Sequence, residues 1–177
     1  MIEYKEKIIP EAFHGTSIDN AENIIANGFI IKNRIDPYLG NGVYFYEACR
    51  EHAIDYVENR YHLSHAEIAV ICARIDLGRC LELNNSKHVE WLKLTWKLLS
   101  EQGIDPITDA VVINFFIETF SENVDTVRAS QLYSSSNRQK IFTGSRFFSS
   151  QRIVICVRNL KSIQDCTLCN MGDKDNE

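Results

Sequence analysis

The sequence lacks the features that mark membrane, secreted and disordered proteins. Its longest apolar run, 110–116, is interrupted by Asn114 and falls well short of the roughly 18 residues that span a bilayer. The N-terminus contains neither an apolar core nor a small-residue cleavage site, so no secretory signal is predicted. With 3 prolines and 8 glycines, few linkers are expected. We therefore expect a cytoplasmic protein without a membrane partner, with one domain over residues 1–170 and a polar tail over 171–177.

Signatures of common nucleotide and metal sites are also absent. No Gly-x-Gly-x-x-Gly follows a strand pattern and no Walker loop is present, which argues against Rossmann and P-loop sites. Among the six cysteines, Cys166 and Cys169 form a single Cys-x-x-Cys without a second such pair or a His pair. Because cysteines in cytoplasmic proteins are mostly small buried residues, no metal site is predicted.

Charge is unevenly distributed along the chain. The formal net charge of −5 disfavours loose, non-specific binding of nucleic acid. Segment 124–165 nevertheless carries seven basic and two acidic residues, a local charge of +5 that leaves −10 elsewhere. A basic C-terminal third on an acidic body indicates either an anionic ligand or acceptor, or a solvated face of paired charges.

The hydrophobic pattern predicts an α+β protein. A strand over 8–13 is predicted to end at His14, and a helix is predicted to start near Ser17 or Asp19 and to be closed by Gly28. Further strands are predicted over 29–31, 43–46, 66–77, 80–83, 126–133, 152–157 and 160–163, and helices over 47–59 and 86–102. The pattern over 108–120 fits a helix or a strand, and a helix is favoured. Because strands and helices do not alternate regularly, a doubly wound sheet is disfavoured.

Three short segments combine the residue types expected around a planar ligand. They are Phe13-His14-Gly15-Thr16, the glycine turn and strand over 38–45, and 53–56. His14 and Thr16 offer polar side chains, and Gly15 allows close approach to the backbone. Tyr44 and Tyr56 offer flat faces, so the set suits a flat, polar, cationic ring such as nicotinamide. Taken singly, each residue is equally explained by ordinary packing.

The order and spacing of these segments resemble the poly-ADP-ribose polymerase and diphtheria-toxin-like branch of the ADP-ribosyltransferases. The matching segments are His14-Gly15-Thr16, a helix closing on Asn27-Gly28-Phe29, and Leu39-Gly40-Asn41-Gly42-Val43-Tyr44-Phe45 followed by a helix with Ala and Tyr. The resemblance is close over 13–56. It implies a split α+β fold of two antiparallel or mixed sheets with flanking helices, and NAD as the substrate in the cleft between the sheets.

The resemblance also implies roles for single residues. His14 would hydrogen-bond an NAD ribose hydroxyl, the Gly15 backbone would bind the nicotinamide amide, and Thr16 would assist near the ribose. Tyr44 would pack against nicotinamide. Tyr56 would stack on the opposite face, although it lies one residue further along than the family pattern places it. Gly28 completes the predicted NAD-binding set, and the loop over 32–41 would border the donor site.

The third motif departs from the family pattern. The resemblance places a glutamate at the start of a late strand, where its charge favours the oxocarbenium-like transition state. Here Gln151 occupies that position and offers hydrogen bonds without charge. Losing the charge would cost roughly 2–4 kcal/mol of transition-state stabilisation, and transfer of one unit is favoured over chain extension. Glu118 and Glu122 are alternative acids.

The resemblance implies a mono-ADP-ribosyltransferase that moves ADP-ribose from NAD to a protein or nucleic acid. Arg128, Arg146 and Arg152 would contact the pyrophosphate or the acceptor, with solvated or structural roles as the alternative. The expected context is a bacterial or phage-defence toxin with a neutralising antitoxin protein. NAD hydrolysis, a non-catalytic NAD- or ADP-ribose-binding module and RNA 2′-phosphotransfer are the alternatives. His14→Ala and Tyr44→Ala are expected to abolish activity with little change in melting temperature.

Overall fold

The computed structural model describes residues 2–31, 38–121, 123–132, 143 and 151–169, and it confirms the α+β class. The strands are β1 (Ile8–Ser17), β2 (Val43–Glu47), β3 (Ile68–Asp76), β4 (Cys80–Glu82), β5 (Thr126–Leu132), β6 (Gln151–Val157) and β7 (Ile163–Leu168). The helices are α1 (Ile18–Asn27), α2 (Arg50–Tyr61), α3 (Ser86–Glu101) and α4 (Asp109–Phe120). None of these helices is long and apolar enough to cross a membrane.

The strands form a continuous sheet in the order β4-β5-β6-β2-β1-β3-β7. Neighbouring strands are antiparallel, apart from the parallel pair of β4 and β5. Strands β1 and β2 share only two residue pairs, Ala12 with Glu47 and Phe13 with Tyr46. Towards Ser17, β1 pairs with β3 alone. The two sheets expected from the resemblance are therefore two halves of one ladder, joined at this short junction and divided beyond it.

Several boundaries differ from the sequence prediction. Strand β1 runs on to Ser17, because His14, Gly15 and Thr16 pair with the buried strand β3, which local periodicity cannot reveal. Residues 29–31 are not a strand, and Phe29 instead packs on His14. Residues 160–162 form a 3-10 turn, and the edge strand β7 that follows was not predicted. Its sequence, Ile-Gln-Asp-Cys-Thr-Leu, carries little apolar alternation.

The helix that follows β1 begins and ends as predicted. The Ser17 hydroxyl accepts a hydrogen bond from the Asn20 amide at 3.4 Å and caps the N-terminus of α1. At the other end Gly28 adopts a φ of 82° and donates its amide to the Ile24 carbonyl at 2.7 Å. Helix α1 therefore starts directly at the end of β1, without an intervening loop.

Side chains of β2 alternate between two hydrophobic cores. Tyr44 and Tyr46 belong to the core that contains residues of α2 and α4. Val43 and Phe45 belong to the core on the other side of the sheet, with Phe29 packed against it. Because successive strand residues point to opposite faces, β2 contributes to both cores and ties the helices to the sheet.

One buried arginine holds the β4-β5-β6-β2 half together. Arg128 donates to Glu47 through Nε at 2.7 Å and through Nη2 at 3.0 Å, and to Glu82 through Nη1 at 2.7 Å. Its side chain is 12% exposed, and the hydrogen bonds that it donates to Glu47 raise its pKa. Of the two roles left open for Arg128, these contacts support the structural one. Arg146 lies outside the described residues.

The turn before β2 depends on Gly42. A Cβ there would lie 2.5 Å from Cys156 Sγ and 2.6 Å from the Val157 carbonyl oxygen. Because this crowding must be relieved by moving β6, we predict that Gly42→Ala lowers the free energy of unfolding by about 1–3 kcal/mol. Urea unfolding of the purified variant measures the loss.

Gly103→Ala is the matched control for that variant. A Cβ at Gly103 meets nothing within 4 Å, so only the left-handed φ of 73° is penalised. The expected loss is about 1 kcal/mol. A loss at Gly42 no larger than the loss at Gly103 would contradict the steric role of Gly42.

Candidate functional site

The candidate site lies where β1 and β2 separate. After the Phe13–Tyr46 pair, the next contact between the two strands is made by a side chain, with His14 Nδ1 2.8 Å from the Tyr44 carbonyl oxygen. Because a carbonyl oxygen only accepts, Nδ1 carries a proton and donates it. The imidazole also packs against Phe29 at 5.2 Å and Phe45 at 5.6 Å between ring centroids. These contacts fix both the tautomer and the orientation of His14.

A narrow cleft opens beside this histidine. It is lined by His14, Gly15, Tyr38, Tyr44, Tyr46 and Tyr56. Tyrosines make up most of the wall, so the cleft presents flat aromatic faces with polar tips. The structure thus brings together His14, Gly15, Tyr44 and Tyr56, which the sequence had singled out, and adds Tyr38 and Tyr46. Tyr46 could have been found from strand alternation, because it lies two residues after Tyr44 on β2.

Tyr38 closes the cleft on one side. Its ring centroid lies 5.2 Å from that of Tyr44, and burial raises the pKa of both Tyr38 and Tyr46. Both hydroxyls therefore stay protonated at neutral pH. The water-accessible volume left in the cleft is about 10 Å³, which is room for about one water molecule. A planar ring fits between the tyrosines only when a wall such as Tyr38 moves outward.

Gly15 is required by packing as well as by any ligand. A Cβ on Gly15 would overlap the Ala53 carbonyl and lie 2.8 Å from Val57 Cγ2. Helix α2 can therefore lie directly on β1 only because residue 15 is glycine. This close approach is what places Tyr56, one turn after Ala53, in the wall of the cleft. The expected role of the Gly15 backbone in binding an amide stays a prediction.

Tyr44 is a structural clamp as well as a wall of the cleft. Its hydroxyl donates to the Gly40 carbonyl at 2.7 Å and accepts from the Leu39 amide at 2.9 Å. The residue is only 6% exposed. The expectation that Tyr44→Ala leaves the melting temperature nearly unchanged is therefore wrong, because removing a buried aromatic ring costs about 3–5 kcal/mol. The hydroxyl is the group that can be removed without emptying the core.

Two residues from outside the motifs complete the glycine turn. Asn114 Oδ1, on α4, accepts from the Asn41 amide at 3.2 Å and from Arg158 Nη1 at 2.8 Å. A Cβ on Gly40, whose φ is 82°, would lie 2.5 Å from Asn114 Oδ1. The sequence signal was present, since Asn114 is the polar residue that interrupts the longest apolar run. Its role could not be read without knowing that α4 lies against this turn.

Two members of the predicted NAD-binding set lie outside the cleft wall. Thr16 is half-buried on β1, opposite Ala69 of β3, and Gly28 is exposed at the end of α1. Neither is among the residues that line the cleft. Within the predicted loop over 32–41, residues 32–37 lie outside the described part of the chain. The roles of Thr16 and Gly28 therefore remain predictions.

On strand β6, Arg152 rather than the predicted Gln151 packs against a tyrosine of the cleft wall. Gln151 is exposed and pairs with Leu132 of β5. Its neighbour Arg152 is buried, with its guanidinium carbon 5.9 Å from the centre of the Tyr46 ring. Because successive strand residues point to opposite faces, Gln151 points away from the face that carries Arg152 and Tyr46. The structure does not bring Gln151 to the cleft. Of the alternative acids, Glu118 is exposed on α4 and is not among the residues that line the cleft, and Glu122 lies outside the described residues.

His52 adds a neutral polar group near the same wall. Its ring centroid lies 6.1 Å from that of Tyr46, and its Nδ1 is buried with no hydrogen-bond partner among the described residues. Burial, and then the charge of Arg152, lower the pKa of His52, so the imidazole is neutral at pH 7. Nothing in the sequence marked this histidine, because its neighbours are distant in the chain.

The described residues contain no cluster of three or more His, Cys, Asp or Glu side chains that could bind a metal ion. The six cysteines all lie within the described residues, and none of them forms a disulfide there. Two larger cavities, of about 430 and 440 Å³, lie along α3 and α4 and are lined mostly by apolar side chains. The histidine, the glycine and the tyrosines expected around a planar ring instead meet in the narrow cleft between β1 and β2.

The model of the poly(ADP-ribose) polymerase catalytic domain matches residues 10–105, more than half of the 177-residue chain. The match includes every residue that lines the cleft and ends before β5 and β6. No curated protein matches the chain.

The Tyr44 hydroxyl can be tested by its removal. Because Tyr44→Phe leaves a buried carbonyl and a buried amide without their partner, we predict a loss of about 1–3 kcal/mol in the free energy of unfolding. Nicotinamide binding should weaken in the same variant, because the turn that carries Tyr38 is released. Urea unfolding and a nicotinamide titration followed by tyrosine fluorescence measure the two effects.

Tyr4→Phe is the control for this variant. The Tyr4 hydroxyl also makes one hydrogen bond, to Asp76 Oδ2 at 2.9 Å, but the residue is 58% exposed. Its loss is expected to change stability by less than about 0.5 kcal/mol. Equal stability of the two variants would show that the clamp at Tyr44 does not hold the turn.

Proposed function

Because the chain belongs to the poly(ADP-ribose) polymerase catalytic-domain family, we propose that it is a mono-ADP-ribosyltransferase that moves one ADP-ribose unit from NAD to a protein or nucleic acid. The observation that carries the proposal is the cleft at the division of the sheet, where an oriented His14 stands beside four tyrosines. A flat cationic ring is bound well by such walls, because aromatic faces attract positive charge.

The proposed reaction exchanges one bond at the ribose. The bond from C1′ to the nicotinamide nitrogen breaks, and both of its electrons stay on that nitrogen, so the pyridinium leaves as neutral nicotinamide. An acceptor atom donates a lone pair to C1′ and releases a proton to solvent. Positive charge develops on the ribose between the two events. Binding, orientation and exclusion of water are the tasks that this mechanism gives to the protein.

Four of the six residues that line the cleft have a role in this proposal. His14, held by the Tyr44 carbonyl, binds a ribose hydroxyl, and the Gly15 backbone binds the nicotinamide amide. Tyr56 stacks on one face of nicotinamide, and Tyr44 packs against it. Thr16 and Gly28 would contribute only at the edge of the site, because neither lies in the wall of the cleft. The NAD pyrophosphate is expected to extend towards residues 32–41.

Transfer of a single unit is proposed because β6 offers no acid where the family pattern has a glutamate. The first two residues of β6 are Gln151 and Arg152. Neither can place a negative charge beside the ribose or beside the hydroxyl of a growing chain. The same observation favours a second candidate function, a module that binds NAD or ADP-ribose without turnover.

The acceptor is proposed to be a macromolecule, either protein or nucleic acid. The basic segment 124–165 suggested an anionic acceptor, but three of its arginines are engaged within the protein. Arg128 pairs with Glu47, Arg152 with Asp55, and Arg158 with Asn114. A role as a bacterial or phage-defence toxin, restrained by an antitoxin protein, is the biological context that we propose from the family resemblance.

The proposal is tested by incubating the protein with NAD labelled in its adenylate half, together with separate pools of RNA, DNA and protein. We expect label on one pool and an equal amount of free nicotinamide. His14→Ala is expected to reduce the rate at least about 100-fold, because it removes an oriented hydrogen-bonding group from the cleft. His65→Ala is the control, because His65 is exposed and pairs with Glu58 on the surface.

Each other outcome of this assay has a defined meaning. Nicotinamide released without labelled macromolecule indicates NAD hydrolysis. Binding of NAD without release of nicotinamide indicates the binding module. If NAD does not bind at all, or if His65→Ala is as damaging as His14→Ala, the proposed function is wrong.

A further inference from the structure

One ion pair joins α2 to β6 next to a tyrosine of the cleft wall. Arg152 Nη2 donates to Asp55 Oδ2 at 2.7 Å. The arginine side chain is 5% exposed, and the aspartate side chain is 45% exposed. The cation is therefore fixed inside the protein, and the carboxylate is held at the surface of the wall.

Each member of this pair is linked to a tyrosine that lines the cleft. The Arg152 guanidinium lies against Tyr46, with its carbon 5.9 Å from the ring centre. Asp55 directly precedes Tyr56 on α2, and the Tyr56 ring centroid lies 6.2 Å from that of Tyr46. Because Tyr46 and Tyr56 both line the cleft, Asp55 is linked to its wall twice, through Arg152 at the start of β6 and through its chain neighbour Tyr56.

The other acids described near this region are engaged elsewhere or point away. Glu47 alternates with Tyr46 on β2 and binds Arg128 on the opposite face of the sheet. Glu51 is exposed on α2, and Glu58 lies 3.4 Å from His65. Among the described residues, Asp55 is thus the acid that is linked directly to a residue packed on the cleft wall.

We propose that Asp55, positioned by Arg152, supplies the negative charge that stabilises the ribose as its bond to nicotinamide breaks. This inference rests on the proposed function and names the acid that the β6 strand does not provide. The carboxylate forms no covalent bond. Both electrons of the broken bond leave with nicotinamide, and the acceptor supplies the new pair. An anion near C1′ is most favourable at the moment when positive charge is greatest, so its effect falls on the chemical step.

Arg152 has a positioning role in this account. A buried guanidinium holds the aspartate in one place, at the cost of neutralising part of its charge. The contribution of Asp55 is therefore smaller than that of an unpaired carboxylate at the same distance. This arrangement is consistent with transfer of one unit by an enzyme of modest rate.

The variant Asp55→Asn tests the negative charge of residue 55 while keeping the size of its side chain. The asparagine oxygen still accepts the hydrogen bond from Arg152, while the negative charge is lost. We expect kcat for nicotinamide release to fall about 30- to 300-fold, with KM for NAD changed less than about threefold. The melting temperature should stay within a few degrees of the wild type. Glu51→Gln, one turn earlier on the same helix and exposed, is the matched control and should leave kcat unchanged.

A purely structural ion pair gives the opposite pattern. In that case Asp55→Asn lowers the melting temperature and leaves kcat of the folded protein unchanged. Asp55→Glu provides the second variant, because it keeps the charge. If Asp55→Glu is no more active than Asp55→Asn, or if Asp55→Asn keeps full kcat, the assignment of Asp55 is overturned.

The two levels of proposal fail in distinguishable ways. If the wild-type protein neither binds NAD nor releases nicotinamide, the proposed function itself is wrong. If the wild-type protein turns over NAD and Asp55→Asn is equally active, only the role of Asp55 is wrong. If activity is lost in Gln151→Ala and retained in Asp55→Asn, the residue that acts on the ribose is Gln151 at the start of β6. That result overturns the inference.

Discussion

A hydrogen bond from the His14 imidazole to the Tyr44 carbonyl spans the point at which the sheet divides. Backbone pairing between β1 and β2 stops one residue earlier, at Phe13 and Tyr46. An imidazole is longer than a backbone amide, so it can join two strands that have moved too far apart for a ladder. The same side chain therefore keeps the two halves together and stands at the mouth of the cleft between them. The rest of the site is arranged around this contact.

Each wall of the cleft is fixed by a different element of the fold. Gly15 allows α2 to lie on β1, which places Tyr56. The Tyr44 hydroxyl and Asn114 of α4 close the glycine turn, which places Tyr38. The walls formed by Tyr44 and Tyr56 are therefore held in place by the fold, while Tyr38 is the wall that has to move when a ring enters. Preorganised walls of this kind lose little entropy when a flat ligand enters.

The residues brought together by local sequence could be predicted, and those brought together by long-range packing could not. His14, Gly15 and Tyr44 lie in short motifs whose spacing reflects the division of the sheet. The partnership of Arg152 with Asp55 joins positions 97 residues apart and leaves no local signal. Gln151, the residue predicted to complete the site, is not among the residues that line the cleft, for a related reason. A strand has a side-chain period of two, so an uncertainty of one residue in register reverses the face that a side chain occupies.

The account predicts where nicotinamide binds, and a crystal structure of the wild-type protein with a non-hydrolysable NAD analogue tests that claim most directly. We expect the nicotinamide ring between the tyrosines of the cleft, with Tyr38 displaced and the bond from His14 to the Tyr44 carbonyl intact. The contrary result is nicotinamide bound in the cavity of about 440 Å³ that Tyr38 lines together with Leu92, Trp96 and Gln131, with no ring entering between Tyr44, Tyr46 and Tyr56. That outcome would show that the division of the sheet is a structural feature alone.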